Sequence, residues 1–153
     1  MTITPARLDQ AKDIQALVRR SADAGDMLPR PLGEIYELLR DFVVAIDENG
    51  LIVGCCALHI VWDDLAEVRS LAVDQQHRKS GLGRRLVTAS IDEARRLGIR
   101  HLFALTYVPD FFKKLGFHDI AKESLPHKVW SDCIKCHKFP DCDEQAVGLD
   151  LTL

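Results

Sequence analysis

The sequence lacks a long apolar run, an N-terminal leader pattern and an excess of basic charge. No stretch approaches the ~20 apolar residues that are needed to span a bilayer, so we expect no membrane partner. The opening residues, MTITPARLDQAKD, lack the charged-then-apolar order of a signal peptide, and we therefore expect a cytoplasmic protein. The net charge of −3 argues against nucleic-acid binding, which requires a broad basic surface.

Internal repeats, low-complexity tracts and linkers are also missing, which favours a single domain over residues 1–153. A chain of this length is large enough to bury one hydrophobic core without splitting. Its composition, 47% apolar and 28% charged, is ordinary for a globular protein. A homodimer is one possible assembly.

Cysteines are few and odd in number, with five in the chain. In a cytosolic protein they are expected to be thiols or metal ligands rather than disulfides. The adjacent pair Cys55 and Cys56 lies on an apolar, strand-like segment, so we expect both side chains to pack in the core.

Three further cysteines, Cys133, Cys136 and Cys142, fall within a segment over residues 124–144 that we expect to be inserted before the last strand. Three thiolates with a nearby histidine or aspartate would suit a tetrahedral zinc site. The candidates for the fourth ligand are His127, His137 and Asp143. The alternative is that these residues are reduced thiols that order a loop.

The pattern of apolar residues predicts an α/β (α+β) fold with a mixed sheet. Strands are expected at Thr2–Arg7, Phe42–Ile46, Leu51–Val61, Glu67–Val73, His101–Thr106 and Gln145–Leu151, with a short one after Gly116-Phe117. Helices are expected after an N-cap at Asp9, around Glu34–Arg40, over Gly81–Leu97 and at Phe111–Leu115.

A basic, glycine-containing loop follows the strand that ends at Val73, and an amphipathic helix follows the loop. Glycines 81 and 83 allow a ligand to approach the backbone closely, and the first turn of the helix offers N–H groups and a positive dipole end to phosphate oxygens. Charged and polar residues next to the glycines place further hydrogen-bond donors and positive charge at the same helix N-terminus. The candidate phosphate-binding residues are Arg78, Lys79, Ser80, Gly81, Leu82, Gly83 and Arg84.

The run Arg78-x-x-Gly81-x-Gly83 resembles the coenzyme A signature of the GNAT superfamily of N-acetyltransferases. The later run Phe112-Lys113-Lys114-Leu115-Gly116-Phe117 is similar to that superfamily's motif near the thiol end of the cofactor. The resemblance implies a central twisted mixed sheet, splayed in the middle and flanked by helices. It implies acetyl-coenzyme A as cosubstrate, with the pantetheine arm pairing with the backbone at Leu71, Ala72 and Val73 and with Phe112 nearby.

A narrower resemblance points to the acetyltransferase domain of N-acetylglutamate synthases. The segments that carry it are Gly54-Cys55-Cys56-Ala57-Leu58, Glu67 through Val73, Leu102-Phe103-Ala104-Leu105-Thr106 and Leu125-Pro126. The tail SLPHKVWSDCIKCHKFPDCDE is similar to the short, stand-alone form of that enzyme. The implied reaction is direct acetylation of the α-amine of L-glutamate, the first step of arginine biosynthesis.

Glu67 is the candidate general base, because an attacking amine must first lose a proton and a carboxylate can accept it directly or through water. Alternation along the strand predicts that Glu67, Arg69, Leu71 and Val73 share one face. A solvent-facing glutamate is the alternative interpretation of Glu67.

The candidate acids for the leaving thiolate are Thr106 and Tyr107. Many GNAT enzymes carry a tyrosine four residues before the Gly-Phe of the later motif, but this sequence has Phe112 there. In the glutamate synthases a hydroxyl residue at the position of Thr106 is implied to replace it. A thiol with a pKa near ~8.5 also leaves fairly well without help.

Arginine is the natural clamp for an acceptor carboxylate, because its guanidinium binds carboxylates in a bidentate manner. The resemblance implies this role for Arg30, in the loop that lines the acceptor pocket. The further candidates for acceptor binding are Arg69, Tyr36, Lys128 and Lys138.

Three other functions remain open at this point. The first is a GNAT enzyme for another amine, such as another amino acid, a polyamine or a protein N-terminus. The second is a non-catalytic sensor that binds coenzyme A, which the phenylalanine at position 112 allows. The third is an interaction module stabilised by zinc at the cysteine cluster.

Overall fold

The structure, a computed structural model, describes residues 1–126 and 144–152. Its strands are β1 (Thr2–Pro5), β2 (Phe42–Ile46), β3 (Ile52–Trp62), β4 (Leu65–Val73), β5 (His101–Thr106), β6 (His118–Asp119) and β7 (Gln145–Asp150). Its α-helices are α1 (Ala11–Asp23), α2 (Leu32–Glu37), α3 (Leu82–Leu97) and α4 (Pro109–Lys113).

The strands of the described ranges form one seven-stranded sheet in the order β1-β2-β3-β4-β5-β7-β6. Strands β1 to β4 are antiparallel neighbours, β5 runs parallel to β4 after the α3 crossover, and β7 returns antiparallel between β5 and β6. The mixed sheet predicted from the sequence is therefore confirmed. Strand β1 lies at one edge of this sheet, where Pro5 removes no central hydrogen bond.

Helices cover both faces of the sheet and divide the core in two. The amphipathic helix α3 buries Leu82, Leu86 and Val87 against one face. On the opposite face, α1 and α2 bury Ile14, Leu17, Val18 and Ile35 against β2 and β3. Each face removes apolar side chains from water, which is the dominant favourable contribution to folding.

The start of α1 differs from the sequence-based prediction. Asp9 is not its N-cap, since Leu8–Gln10 form a short 3₁₀ turn and α1 begins at Ala11. The Gln10 side chain accepts a hydrogen bond from the Arg7 backbone N–H at 2.8 Å, and the Asp9 carboxylate accepts one from the Arg7 side chain at 3.0 Å. The carboxylate of Asp9 thus accepts a hydrogen bond from the guanidinium of Arg7 and does not cap α1.

Strands β4 and β5 separate along their length, as the splayed sheet requires. Their parallel ladder joins Leu65 to His101, Ala66 to Leu102 and Glu67 to Phe103, and within the described chain it continues no further. The remainder of β4, up to Val73, faces β5 across the opening. The last ladder pair thus places Glu67 at the closed end of the splay.

A β-bulge in β4 changes which residues share a face. Cys55 pairs with Ala72 but Ala57 pairs with Arg69, so β4 has one extra residue here, and Ser70 has φ 56°. Beyond the bulge, Leu71 and Val73 pack against the α3 side of the sheet. The prediction that Glu67 and Arg69 share a face with Leu71 and Val73 is therefore wrong, because an extra residue inverts the alternation of the strand.

The helices of the described residues are all too short or too polar to cross a membrane.

Candidate active site

The glycine-containing loop connects β4 to α3 and positions the first turn of the helix. Gly81 has φ 82°, a left-handed conformation that glycine adopts without a steric cost, and it directly precedes α3. The Arg85 N–H bonds to the Gly81 carbonyl at 3.1 Å, so the amides of residues 82–84 precede the intrahelical ladder. Such amides at a helix N-terminus form an anion-binding site.

Gly83 lies where the first turn of this helix faces α4. A Cβ atom at position 83 would lie 3.4 Å from the Phe111 ring and 3.8 Å from the Val73 side chain. A Cβ atom at this position would thus make ordinary van der Waals contacts with both neighbours. Of the two loop glycines, Gly81 is the one whose left-handed conformation favours glycine.

Basic side chains surround this helix end, as the sequence predicted. Arg78 is ion-paired with Asp26 at 2.9 Å, and its Nε donates to the Val73 carbonyl at 3.4 Å. Lys79, Ser80 and Arg84 are exposed, and the Ser80 hydroxyl donates to the His77 carbonyl. The Arg78–Asp26 pair links the loop to the segment between α1 and α2, which contains Arg30.

Glu67 lies in the interior of the sheet with its carboxylate beside a guanidinium. The residue is only 9% exposed, and its Oε1 atom lies 3.6 Å from Arg69 Nη1. Its neighbours in the ladders are His59 on β3 and Phe103 on β5. The alternative of a solvent-facing glutamate is therefore wrong, and a largely buried carboxylate at the closed end of the splay is suited to accept a proton.

His59 forms a contact that the sequence analysis missed. Its Nδ1 atom lies 2.8 Å from Asp41 Oδ2, and both side chains are about three-quarters buried, with exposures of 22% and 24%. Asp41 belongs to the turn before β2, while His59 lies near the end of β3. No spacing in the sequence signals this pair, because it depends on how the turn lies over the strand.

A small pocket on the α2 side of the sheet contains two of the residues predicted to bind the acceptor, Arg30 and Arg69. Its lining residues are Arg30, Glu34, Ile35, Leu38, Asp41, Phe42, Ala57, Arg69 and Ser70. Arg30 Nη1 is ion-paired with Glu34 Oε1 at 2.6 Å. Its volume of about 10 Å³ is that of a single water molecule, so the two arginines and two acidic residues that line it would have to move apart to admit an amino acid.

Other predicted acceptor residues are not brought to this pocket by the described structure. Tyr36 is 41% exposed and is neither in the core nor among the described lining residues. Its position on the short helix α2 turns it away from the side that buries Ile35. Lys128 and Lys138 lie outside the described residues.

The candidate acids lie at the far side of the splay. Thr106 ends β5 and is 6% exposed, and its Oγ1 accepts a hydrogen bond from the Val108 N–H at 2.9 Å. Because a hydroxyl both accepts and donates, its proton remains a possible donor. Tyr107 is half-buried beside it. Phe112 is buried in the core, with its ring 5.2 Å from those of Phe111 and Phe117.

The two cysteines of the described residues are buried, and their thiols are poorly reactive as nucleophiles. Cys55 and Cys56 are both fully buried, as predicted. Burial raises the pKa of the Cys56 thiol to about 11 and raises the pKa of Cys55 further above its usual range. Both therefore stay protonated near neutral pH, and a protonated thiol is a poor nucleophile.

Metal binding is not indicated in the part of the chain that the structure describes, where no group of three or more His, Cys, Asp or Glu residues could hold an ion. The predicted zinc ligands Cys133, Cys136 and Cys142 lie outside the described residues, so the zinc site stays a prediction.

With the fold and the loop established, comparisons with known proteins define the class. Residues 14–117 match the acetyltransferase (GNAT) family. This range contains the glycine loop, Glu67 and the splayed strands. The chain belongs to the acetyltransferase (GNAT) family.

Among relatives of known sequence, an uncharacterized N-acetyltransferase of Chlorobaculum tepidum is 42% identical over 93% of this chain and 91% of its own length. The amino-acid acetyltransferase of Mycobacterium tuberculosis is 34% identical over 72% of this chain and 65% of its own. The amino-acid acetyltransferase of Vibrio cholerae is 31% identical over 81% of this chain, which spans only 28% of that longer protein.

Solved structures agree on the fold. A Mycobacterium tuberculosis protein in complex with CoA superimposes with a TM-score of 0.84 at 28% identity, covering 99% of this chain and 100% of that one. N-acetylglutamate synthase from Neisseria gonorrhoeae, complexed with coenzyme A and N-acetyl-glutamate, gives 0.87 at 26% identity, covering 99% of this chain but 35% of the synthase.

Proposed function

We propose that this protein transfers an acetyl group from acetyl-coenzyme A to the α-amino group of L-glutamate, as the first step of arginine biosynthesis in the cytoplasm. The observation that carries the proposal is the placement of Glu67 beside Arg69, with Arg69 lining the same pocket as Arg30. A base suits the deprotonation of an amine, and two guanidinium groups suit the two carboxylates of a dicarboxylic amino acid.

The loop before α3 supports acetyl-coenzyme A as the cosubstrate. Its left-handed Gly81 and the first-turn amides of residues 82–84, with the side chains of Arg78 and Arg84 close by in the chain, suit the negative charge of a pyrophosphate. The opening between β4 and β5 offers backbone groups of Leu71, Ala72 and Val73 to an extended arm, as an added strand would use them. Both similar structures named above contain coenzyme A.

The acceptor assignment is supported by pocket chemistry and by the names of the relatives. Arg30 and Arg69 give two cationic positions for the two carboxylates of glutamate. Two of the relatives are amino-acid acetyltransferases, and one similar structure contains N-acetyl-glutamate. This chain spans less than two thirds of the length of these two relatives and of that synthase. For this reason glutamate as the acceptor is part of the proposal.

The chemistry is a direct transfer. Glu67 accepts a proton from the acceptor's ammonium group, and the resulting amine attacks the thioester carbonyl carbon. A C–N bond forms as the C–S bond breaks, and the hydroxyl of Thr106 or Tyr107 donates a proton to the departing thiolate. The second proton that the nitrogen loses on becoming an amide returns to that hydroxyl, so coenzyme A leaves as the thiol and one proton in total passes to Glu67. Backbone N–H groups beside Leu71 to Val73 polarise the carbonyl. No thiol of this chain is required as a nucleophile.

The test is an acetyl-transfer assay with the purified protein and acetyl-coenzyme A. The acceptors are L-glutamate, L-glutamine, L-aspartate, L-lysine and spermine at equal concentrations, and the product is identified by mass spectrometry. We expect N-acetyl-glutamate as the main product. Turnover of other amines with none of glutamate would refute the acceptor, and coenzyme A binding without any turnover would favour a sensor.

A cationic amine is a second candidate acceptor, and one observation favours it. Glu34 and Asp41 place two carboxylates in the pocket beside the two arginines, and these would suit the distal ammonium of lysine or a polyamine. The same acceptor panel separates the two candidates.

A further inference from the structure

His59 and Glu67 are directly opposed in the antiparallel ladder of β3 and β4. Directly opposed side chains of such a ladder lie on the same face, with Cβ atoms about 4.5–5.5 Å apart. Arg69 and Ala57 form another opposed pair on this face, and both line the pocket of Arg30. His59 thus lies next to the candidate base, on the side toward the acceptor pocket.

The contact with Asp41 fixes the state of the His59 ring. An ionised carboxylate can only accept hydrogen bonds, so at 2.8 Å the Nδ1 atom of His59 must carry the proton. In the neutral ring the lone pair is therefore on Nε2. A carboxylate in this position holds the histidine ring in one tautomer and one orientation, as in other histidine–carboxylate pairs.

We propose that His59, held by Asp41, relays to solvent the proton that Glu67 takes from the acceptor. This inference rests on the proposed acetyl transfer. The ammonium group of the acceptor gives its proton to the Glu67 carboxylate, and the carboxylic acid then passes it to His59 Nε2, directly or through one water. The imidazolium, neutralised by Asp41, releases it to solvent, so Glu67 returns to its ionised form before the next turnover.

The position of the pair fits such a relay. The His59 and Asp41 side chains are 22% and 24% exposed, whereas the Glu67 side chain is only 11% exposed. A proton on Glu67 therefore has a more open neighbour through which it can leave. The other charged groups facing this region are Arg69 on β4 and the ion pair of Arg30 with Glu34. His59 acts through Glu67 and is a positioning and relay residue rather than a group that touches the substrate.

The experiment compares His59→Asn, His59→Ala and Asp41→Asn in steady-state assays from pH 6 to pH 9. The side-chain amide of asparagine at position 59 can still donate a hydrogen bond to Asp41, but it cannot take up an additional proton and pass it on. We expect kcat to fall about tenfold or more in His59→Asn and Asp41→Asn, with both KM values of His59→Asn, which does not line the pocket, within about threefold of the wild type. We also expect added imidazole to restore part of the kcat of His59→Ala.

The matched control is His101→Asn. His101 forms the same contact, Nδ1 to Asp150 Oδ1 at 2.7 Å, but on the exposed end of β5. Its kcat and pH profile should stay unchanged. Thermal melting of each variant separates loss of folding from loss of the relay, and the Asp41→Asn variant repeats the test if His59→Asn unfolds.

The relay is overturned if His59→Asn and Asp41→Asn keep wild-type kcat, or if they change only the acceptor KM and imidazole restores nothing. A wild-type protein that acetylates no amine would instead refute the proposed function. The two failures are therefore distinguishable.

Discussion

Arg30 and Glu34 form an ion pair across one turn, with Arg30 Nη1 2.6 Å from Glu34 Oε1, inside the pocket that Arg69 also lines. The guanidinium that the proposal assigns to an acceptor carboxylate is thus held by a carboxylate of the chain itself. An acceptor carboxylate would have to compete with Glu34 or share the guanidinium with it. This competition makes the acceptor affinity sensitive to both residues.

Arg30→Ala should raise the KM for glutamate about tenfold or more, since a hydrogen bond to a charged group contributes ~1.5–3 kcal/mol. Glu34→Gln should lower that KM a few-fold, because it frees the guanidinium. Initial-rate measurements over a range of glutamate concentrations test both. Arg96→Ala removes an ion pair with Glu93 on α3, which covers the opposite face of the sheet, and should change neither value. Equal KM values for glutamate in Arg30→Ala and the wild type would contradict the proposal that Arg30 binds an acceptor carboxylate.

Glu67→Gln should lower kcat about a hundredfold, the range expected when a general base is removed. Binding of coenzyme A, measured by calorimetry, should persist, because Glu67 lies at the closed end of the splay, away from the glycine loop. Glu93→Gln removes a half-buried carboxylate of α3 and serves as the control. If Glu67→Gln turned over at the wild-type rate, another group would have to be the base.

Gly81→Ala and Gly98→Ala test the role of the loop separately from helix stability. Both glycines flank α3 with nearly equal φ values of 82° and 84°, so each alanine should cost about 1–2 kcal/mol of stability. We expect similar drops in melting temperature. Only Gly81→Ala should raise the KM for acetyl-coenzyme A, since Gly98 lies at the other end of the helix. If the two variants had the same KM for acetyl-coenzyme A, the assignment of the glycine loop as the cofactor-binding site would be wrong.

Cys55 and Cys56 should resist iodoacetamide in the native protein at pH 8. A raised pKa means that a thiol stays protonated until the pH approaches that value, which for Cys56 is about 11. The reactive thiolate is therefore scarce at pH 8, and burial also blocks access. Peptide mass spectrometry before and after unfolding in urea measures the difference. Rapid native alkylation at either residue would contradict the buried, protonated state.

The cysteine segment can be tested by metal analysis of the purified protein. The zinc interpretation predicts one zinc per chain and its loss in Cys133→Ser, Cys136→Ser and Cys142→Ser. The thiol interpretation predicts no bound metal. Cys55→Ala, whose parent side chain lies in the core, is the control and should leave the zinc content unchanged.

Much of the fold follows from local pattern. The bounds of β2 and β5 agree with the prediction to the residue, and α3 begins one residue after the predicted start. These elements have strong periodicity and clear turn residues at their ends. The predicted bounds of α2 and the N-cap of α1 were less accurate, because short helices and 3₁₀ turns depend on side-chain contacts such as that of Arg7 with Gln10.

The functional region was predicted in part. The sequence identified Glu67, Arg69 and Arg30 as candidates, and the structure brings Arg69 beside Glu67 and into one pocket with Arg30. The sequence did not predict the bulge at Ser70, because nothing in an apolar strand sequence marks where the strand gains a residue relative to its partner. It also assigned no role to His59, whose partner Asp41 is 18 residues away along the chain.

The sequence by itself determined the elements of this protein and its glycine loop, because apolar periodicity and glycine conformation act over a few neighbouring residues. It also specified a carboxylate at position 67. Tertiary structure decided which side chains meet. The register of β3 against β4 brings His59 opposite Glu67, and the bulge turns Leu71 and Val73 away from that face. The turn before β2 brings Asp41 to the histidine. Such contacts join residues distant in sequence, so they depend on the whole packed sheet rather than on any local pattern.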